Sequence, residues 1–496
     1  DRKPIWTGDG QAPRVFDQID IQRYEIAQAT VDGDNGDNGN LGVIAGAGGA
    51  SMSLVGLALL TSWGTGQPTE ATAAASDTDA PTSAVGPEFV TNAQIPDEDD
   101  VTFTGSSGES FIGITPLNEV GDGLGNTATF DMSAGGDNIF FASTAKRSAG
   151  ELEYTGGNSA DTLVFGQGLA RGDGEATFDM TAGGRHVVAL GGGDANDGGS
   201  FLYKGGASTD IVAFGDGSME TATTVSVDMS AGGTNLVRGG DYFSYYSPFN
   251  YTGGPDRDMV IADEYVGSYS VASFDMQAGG NNLLSMHDYI GYSGTIAYTG
   301  GSATDNIVGS YDVGGALTFD LSQGGNNLFV AGTAQERIDY KAGPDEDTFV
   351  LLEEMYLDGS ELEFDNTAGG RNIAVVGSEV SGTLDYNGGA GMDLVSVGSA
   401  TAKMDALEID LGDDSAKDIV LFDGEVSAVT DKRHTLSNFD FADGDLLVIP
   451  GVTTATVTTT VDGVVLEAGV DPGTSSSYTR LFIEGAATSD FNLSQA

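Results

Sequence analysis

FDMSAGGDNIF (130–140), FDMTAGGRHVV (178–188), VDMSAGGTNLV (227–237), FDMQAGGNNLL (274–284), FDLSQGGNNLF (319–329) and FDNTAGGRNIA (364–374) are six copies of one phrase. A second phrase alternates with it: YTGGNSADTLV (154–164), YKGGASTDIVA (203–213), YTGGPDRDMVI (251–261), YTGGSATDNIV (298–308), YKAGPDEDTFV (340–350) and YNGGAGMDLVS (386–396). The aspartates of the first phrase stand at 131, 179, 228, 275, 320 and 365, in steps of 48, 49, 47, 45 and 45. A sustained period of this size marks a repeat architecture.

Around each glycine pair the apolar pattern has period two. Phe130 and Met132 share one face and Asp131 takes the other, as in a half-buried strand. Another short apolar run follows the glycines, so each phrase reads as strand, turn, strand. Glycine suits a corner that needs positive φ or close backbone approach. One period thus holds two coils of about 23 residues, and the predicted fold is an all-β parallel β-solenoid of 45–49-residue double-coil repeats. No coil buries its Phe, Met, Ile and Val alone. Tyr154, Tyr203, Tyr251, Tyr298, Tyr340 and Tyr386 are expected to stack as a ladder along the axis. Helical alternatives fail because the chain carries 76 glycines, each costing about 1 kcal/mol inside a helix.

A single globular core is not expected for 496 residues, but a solenoid grows in one dimension. The 74 acidic and 19 basic residues leave a net charge of −55. Such a surface repels nucleic acid and anionic membranes, stays soluble in salt and attracts divalent cations. Adaptation to a saline exterior explains the charge as well as dedicated cation sites do. The absence of cysteine fits an extracellular address without requiring one. The chain begins at Asp1, consistent with a removed leader or with numbering that starts inside the gene product.

Residues 1–66 read as an N-terminal arm. Its loop 32–40 is dense in oxygen donors but lacks the EF-hand spacing. Residues 41–63 are uncharged and long enough to span a bilayer, yet no Lys or Arg flanks them. Burial against protein is preferred to a membrane span for this segment. Residues 67–100 are a Thr/Ala/Ser/Pro linker, 101–398 the solenoid, and 399–496 a C-terminal β cap with a hairpin around Asp462-Gly463. The tyrosine-rich loop 241–249 is read as folding back on the solenoid, with a contact or carbohydrate platform as the alternative.

The second phrase resembles the GGxGxDxUx nonapeptide of RTX (repeats-in-toxin, hemolysin-type calcium-binding) proteins, where U is a large apolar residue. GGAGMDLVS (388–396) is the fullest match; the other copies keep the Gly-Gly, or at 342–343 Ala-Gly, and the Asp but mostly lack the third Gly. The C-terminal segments 438–449 and 481–493 are similar to the tail that serves such proteins as an uncleaved type I secretion signal. The resemblance spans roughly residues 100–496 and implies secretion, with calcium held between successive coils. By position it makes Asp161, Asp210, Asp258, Asp305, Asp347 and Asp393 the calcium ligands. The intervening coil carries mostly AGGxN instead, which leaves the two-coil cage incomplete. The competing reading is that these aspartates hydrogen-bond turn amides. Asp131, Asp179, Asp228, Asp275, Asp320 and Asp365 carry the same two readings.

His186, His287 and His434 are scattered without metal-ligand spacing, and no nucleophile elbow, zinc-protease or phosphate-loop motif stands in context. The chain therefore reads as non-enzymatic: a structural subunit of an extracellular bacterial polymer, filament or surface layer, assembling with itself head to tail. An adhesin or matrix glycan-binding protein, with extracellular polysaccharide as partner, is the alternative. A polysaccharide-degrading β-helix enzyme is the least favoured reading.

Overall fold

The computed structural model describes residues 88–91, 101–114, 117–120, 127–142, 145–147, 150–165, 174–191, 199–215, 224–241, 243–263, 265–287, 289–290, 293–309, 312–355, 360–422, 434–449, 454–469 and 478–491. The arm over 1–66, with its segment 41–63 and loop 32–40, and most of the linker 67–100 lie outside the described residues.

The described chain is a parallel β-solenoid. Each phrase contributes one strand before its glycine turn and one after it, and the two classes of strand form separate ladders. The first ladder runs through Thr127–Asp131, Glu151–Thr155, Glu175–Asp179 and Ser200–Lys204, and on to His434–Ser437. The second runs through Ser110–Ile114, Asn138–Ala142, Asp161–Phe165 and Val187–Leu190 to Leu446–Val448. Pairing is parallel and in register: Thr127 faces Glu151, which faces Glu175, a step of 24 residues each time. The expected coil length thus stands.

Alternation decides which residues enter. Along Glu175–Asp179, Ala176 and Phe178 are buried while Glu175 faces solvent. The core column of the first ladder reads Phe130, Tyr154, Phe178, Tyr203, Val227, Tyr251, Phe274 and Tyr298 through successive coils. The tyrosines therefore do not stack directly on one another; a residue of the first phrase separates each pair. Rings of both ladders meet across the interior, as where Phe130 lies edge-on to Phe140 at 4.8 Å.

Glycine is required for different reasons in the two phrases. Gly136 combines φ +92° with a position where a Cβ would lie 1.9 Å from the carbonyl oxygen of Gly108 in the coil before. Gly157 of the second phrase has no positive φ; a Cβ there would lie 2.5 Å from Cα of Gly135. Turns of neighbouring coils thus nest backbone on backbone.

Toward the C-terminus the cross-section gains a third side. Short strands at Tyr289–Ile290, Asp312–Val313, Thr333–Ala334 and Glu354–Met355 form their own parallel ladder. This ladder joins the long bent strand Asn372–Asn387, which pairs with Asp393–Asp410 through register shifts at its bends. The anticipated hairpin is present: Thr454–Thr459 runs antiparallel to Gly463–Gly469. The latter pairs with Tyr478–Glu484, which returns to the first ladder beside His434–Ser437. This antiparallel sheet closes the end of the first ladder.

Candidate functional site

The six aspartates singled out in the second phrase occupy equivalent places and all are buried: Asp161, Asp210, Asp258, Asp305 and Asp393 at 0% exposure and Asp347 at 2%. They lie in one column at the start of the second ladder, on the turn that follows the glycines. The strand geometry sets coils about 4.8 Å apart along this column.

The first phrase fills the alternate rungs. Asn235, Asn282, Asn327 and Asn372 are buried between aspartates, His186 takes the equivalent place between Asp161 and Asp210, and Asn138 lies between Ser110 and Asp161. The amides of Asn235 and Asn282 work in both directions, whereas Oδ1 of Asn138 and Asn372 is buried without a partner. Asn235 Nδ2 donates to Asp258 Oδ1 of the next coil at 2.9 Å, while Asn235 Oδ1 accepts from the backbone N–H of Asp210 in the previous coil, also at 2.9 Å. Asn282 repeats the pattern with Asp305 (3.0 Å) and Asp258 N–H (3.0 Å). His186 reproduces it with a ring: Nδ1 accepts from Asp161 N–H, Nε2 donates to Gly183 O, and its backbone N–H donates to Asp210 Oδ1. Because Nδ1 accepts, the proton sits on Nε2.

The second carboxylate oxygen reaches the glycine turn of its own coil. Gly206, Gly254 and Gly343 N–H groups donate to Oδ2 of Asp210, Asp258 and Asp347 at 3.1, 2.8 and 2.8 Å. Oδ2 of Asp161, Asp305 and Asp393 is buried without a hydrogen-bond partner. Beside each aspartate, seven residues earlier, stands the tyrosine of its phrase. Its buried hydroxyl has no well-formed hydrogen bond, and burial together with the neighbouring carboxyl pushes its pKa up.

Burial is the leading cause at the carboxyls too. It lifts Asp258 and Asp305 to about 6, against the opposing effect of hydrogen bonds from Gly254 and Asn282 respectively. Asp393 is pushed up to about 7, first by burial and also by the negative charge of Asp418. Alternation explains the double-coil period: a neutral side chain between carboxyls doubles the charge separation, and the amides of Asn235 and Asn282 donate to the carboxyl that follows.

Past Asp393 the alternation ends. Asp418 and Asp445 occupy the next two rungs, with Asp393 N–H donating to Asp418 Oδ1 at 2.7 Å and Asp418 N–H to Asp445 Oδ1 at 2.9 Å. Burial raises Asp418 to about 6, and the charge of Asp445 adds to the effect. Phrase matching did not reach these two residues because their surrounding sequence has lost the Gly-Gly. Among the described residues no three Asp, Glu, His or Cys side chains converge in a way that could hold a metal ion.

Asp131, Asp179, Asp228, Asp275, Asp320 and Asp365 have another setting. Each faces outward and accepts from the backbone N–H two residues on, as Asp131 does from Ser133 at 3.0 Å and Asp275 from Gln277 at 3.1 Å. These are Asx turns, one of the two readings above. In register between them lie Thr155, Lys204, Thr252, Thr299, Lys341 and Asn387, so no two outward aspartates of this row occupy adjacent coils.

The loop after the strand Leu236–Gly239 does fold back. Phe243 is 1% exposed and packs 4.5 Å from Phe249. Tyr246 stays outside at 53% exposure, beside Tyr269 from the following coil. The fold-back reading is borne out by Phe243, while Tyr246 remains on the surface.

Compared with protein-family models, curated proteins and solved structures, this chain matches none.

Proposed function

We propose that this chain is a structural subunit of an extracellular bacterial polymer, a filament or surface layer, related in design to secreted RTX-like β-solenoids. The observation that carries the reading is a stack in register whose second ladder, and whose closing antiparallel sheet, end in strands paired on one side. Among the described residues, Leu446–Val448 pairs only with Ile419–Leu421, and Thr454–Thr459 only with Gly463–Gly469. A strand edge accepts a further strand, so such ends suit a contact that propagates from copy to copy. The net charge of −55 keeps the lateral faces apart and suits a saline exterior.

Calcium belongs to this proposal at the C-terminal rungs. At Asn235 and Asn327 the amide nitrogen already bridges the turn oxygens that a cation would need. Asp393, Asp418 and Asp445 carry no amide between them and Asp393 Oδ2 is an orphaned buried acceptor; since no three of these side chains converge on one point, a cation at these rungs would take the rest of its oxygens from backbone carbonyls.

Electron microscopy of the full chain, with calcium and then with EDTA, tests the proposal. Regular filaments or sheets are expected, with their order reduced by the chelator. Dispersed monomers under both conditions refute it. Deleting residues 1–66 separates arm-driven assembly from assembly through the stack.

A further inference from the structure

One exposed feature of the described surface is a group of four tyrosines on two successive coils. Tyr245 and Tyr246 come from the loop after Leu236–Gly239, and Tyr265 and Tyr269 from the loop after Met259–Ala262. Tyr246 and Tyr269 lie nearly parallel, 14° apart with centroids at 4.8 Å. Tyr245 stands edge-on to Tyr246, Tyr265 and Tyr269 at 4.5, 5.8 and 5.7 Å. Tyr246 and Tyr269 are 53% and 42% exposed, and Val271, two residues further on, is 49% exposed. Among the described residues, three of the six exposed large hydrophobics therefore lie on or beside these two loops.

Hydrogen bonds tie the two loops to each other. Ser244 Oγ contacts Ser270 Oγ at 3.1 Å, Ser270 Oγ donates to Ser244 O at 2.6 Å, and Tyr246 N–H donates to Ser268 O at 3.0 Å. Phe243 and Val266 root the two loops in the core at 1% and 0% exposure. Ser244, Tyr246, Tyr265 and Tyr269 all have φ between +50° and +63°, four of the six described non-glycine residues with positive φ. Left-handed backbone at such residues is held only where surroundings over-determine it, and it turns these rings outward in a fixed arrangement.

We infer that the tyrosine group is a binding platform for a neutral polysaccharide. The exposed ring surface of Tyr246 and Tyr269 presents apolar area for the C–H face of a pyranose. Charge selects the class of sugar. A chain of net charge −55 disfavours uronate or sulfate polymers, whereas an uncharged platform accepts a neutral one without electrostatic penalty. Binding through preordered rings spares the ordering entropy that a mobile loop would lose. The site is independent of the strand edges invoked for assembly, and a polymer carrying it presents one platform per subunit.

Native affinity electrophoresis of the full chain tests this, with gels containing dextran, laminarin, hydroxyethyl cellulose or galactomannan, and alginate as the anionic control. Retardation by at least one neutral polymer and none by alginate is expected. Tyr246→Ala with Tyr269→Ala should weaken it about tenfold or more, while Leu352→Ala, at another exposed apolar residue, leaves it unchanged. Circular dichroism and thermal melting establish that the variants remain folded, and Tyr246→Phe, which retains the ring, should preserve most binding. Failure of all four neutral polymers to retard the chain, or equal retardation of the double variant, overturns the inference. So does a double variant that changes only concentration-dependent sedimentation, since the patch then covers a second copy. Filaments seen by microscopy do not bear on these outcomes.

Discussion

Asn235 Nδ2 lies 2.9 Å from Asp258 Oδ1 and 3.1 and 3.0 Å from the carbonyl oxygens of Gly232 and Gly233. One amide group thus joins three oxygens belonging to two coils. Replacing it by a carboxylate, Asn235→Asp, turns the donor into a fourth acceptor. A loss of about 3 kcal/mol at pH 7 is expected, the magnitude of an uncompensated buried charge. Calcium should recover more stability in Asn235→Asp than in the unsubstituted chain, because the mutated rung is all oxygen. Urea unfolding with calcium and with EDTA measures both. Equal calcium responses would count against the amide's cation-replacing role.

The buried carboxyls make stability depend on pH in a defined direction. Asp258, Asp305 and Asp418 are lifted to about 6 and Asp393 to about 7, whereas an unfolded aspartate titrates near roughly 3.9. Between these limits the folded state binds more protons than the unfolded one, so stability rises as pH falls from about 7 toward 4. Above the folded values each group holds the stack back by on the order of 2 kcal/mol. At constant ionic strength the urea midpoint should be higher at pH 5 than at pH 8. Asp393→Asn should flatten that slope, and a midpoint that climbs with pH would contradict the assignment.

Two adjacent glycines should respond unequally to the same methyl group. A Cβ on Gly183 meets nothing within 4 Å, although its φ is +97°. On Gly184, with φ +101°, the Cβ would lie 2.0 Å from the carbonyl oxygen of Ser159 in the preceding coil. Gly183→Ala is expected to cost about 1–2 kcal/mol from backbone strain alone. Gly184→Ala must also separate two coils, and a loss at least about 2 kcal/mol larger is expected. Comparable melting temperatures for the two variants would remove nesting of turns as a determinant of the stack.

Arg337 reaches Glu361 and Glu363 in the next coil at 3.0 and 2.7 Å, and Asp339 on its own strand at 2.5 Å. Beyond it Glu363, Asp385 and Glu408 face one another in register, and burial followed by the charges of Glu408 and Glu363 raises the pKa of Asp385. The arginine is about half exposed, so Arg337→Ala should lower stability by no more than about 1 kcal/mol in dilute buffer. In about 1 M salt the difference should vanish, since the Debye length falls to about 3 Å. Melting curves at both salt concentrations decide whether this contact acts through charge.

The repeat period, the strand alternation and the glycine pairs were legible in the primary sequence because each is a local rule repeated many times. FDM followed by AGG specifies a strand with Phe and Met inside and a turn one strand-length later, and the 45–49-residue step specifies the stacking partner. Alternation put Asp131 on the face opposite Phe130 and Met132, but what Asp161 meets inside was not legible from spacing. Asp131 and Asp161 both lie beside glycine turns, yet the first is an exposed Asx acceptor and the second is sealed against Asn138. That difference depends on the register between coils, which brings residues 23 apart to within hydrogen-bond distance. The same holds for Asp418 and Asp445, whose turns have lost the phrase but retain its place in the column. Likewise Tyr265 and Tyr269 look unremarkable in sequence; stacking of successive loops sets them beside Tyr245 and Tyr246. Periodicity alone determined the solenoid, because every coil must bury the same face. Tertiary register alone decided the polar column and the tyrosine platform, because both are built between coils and neither exists within one.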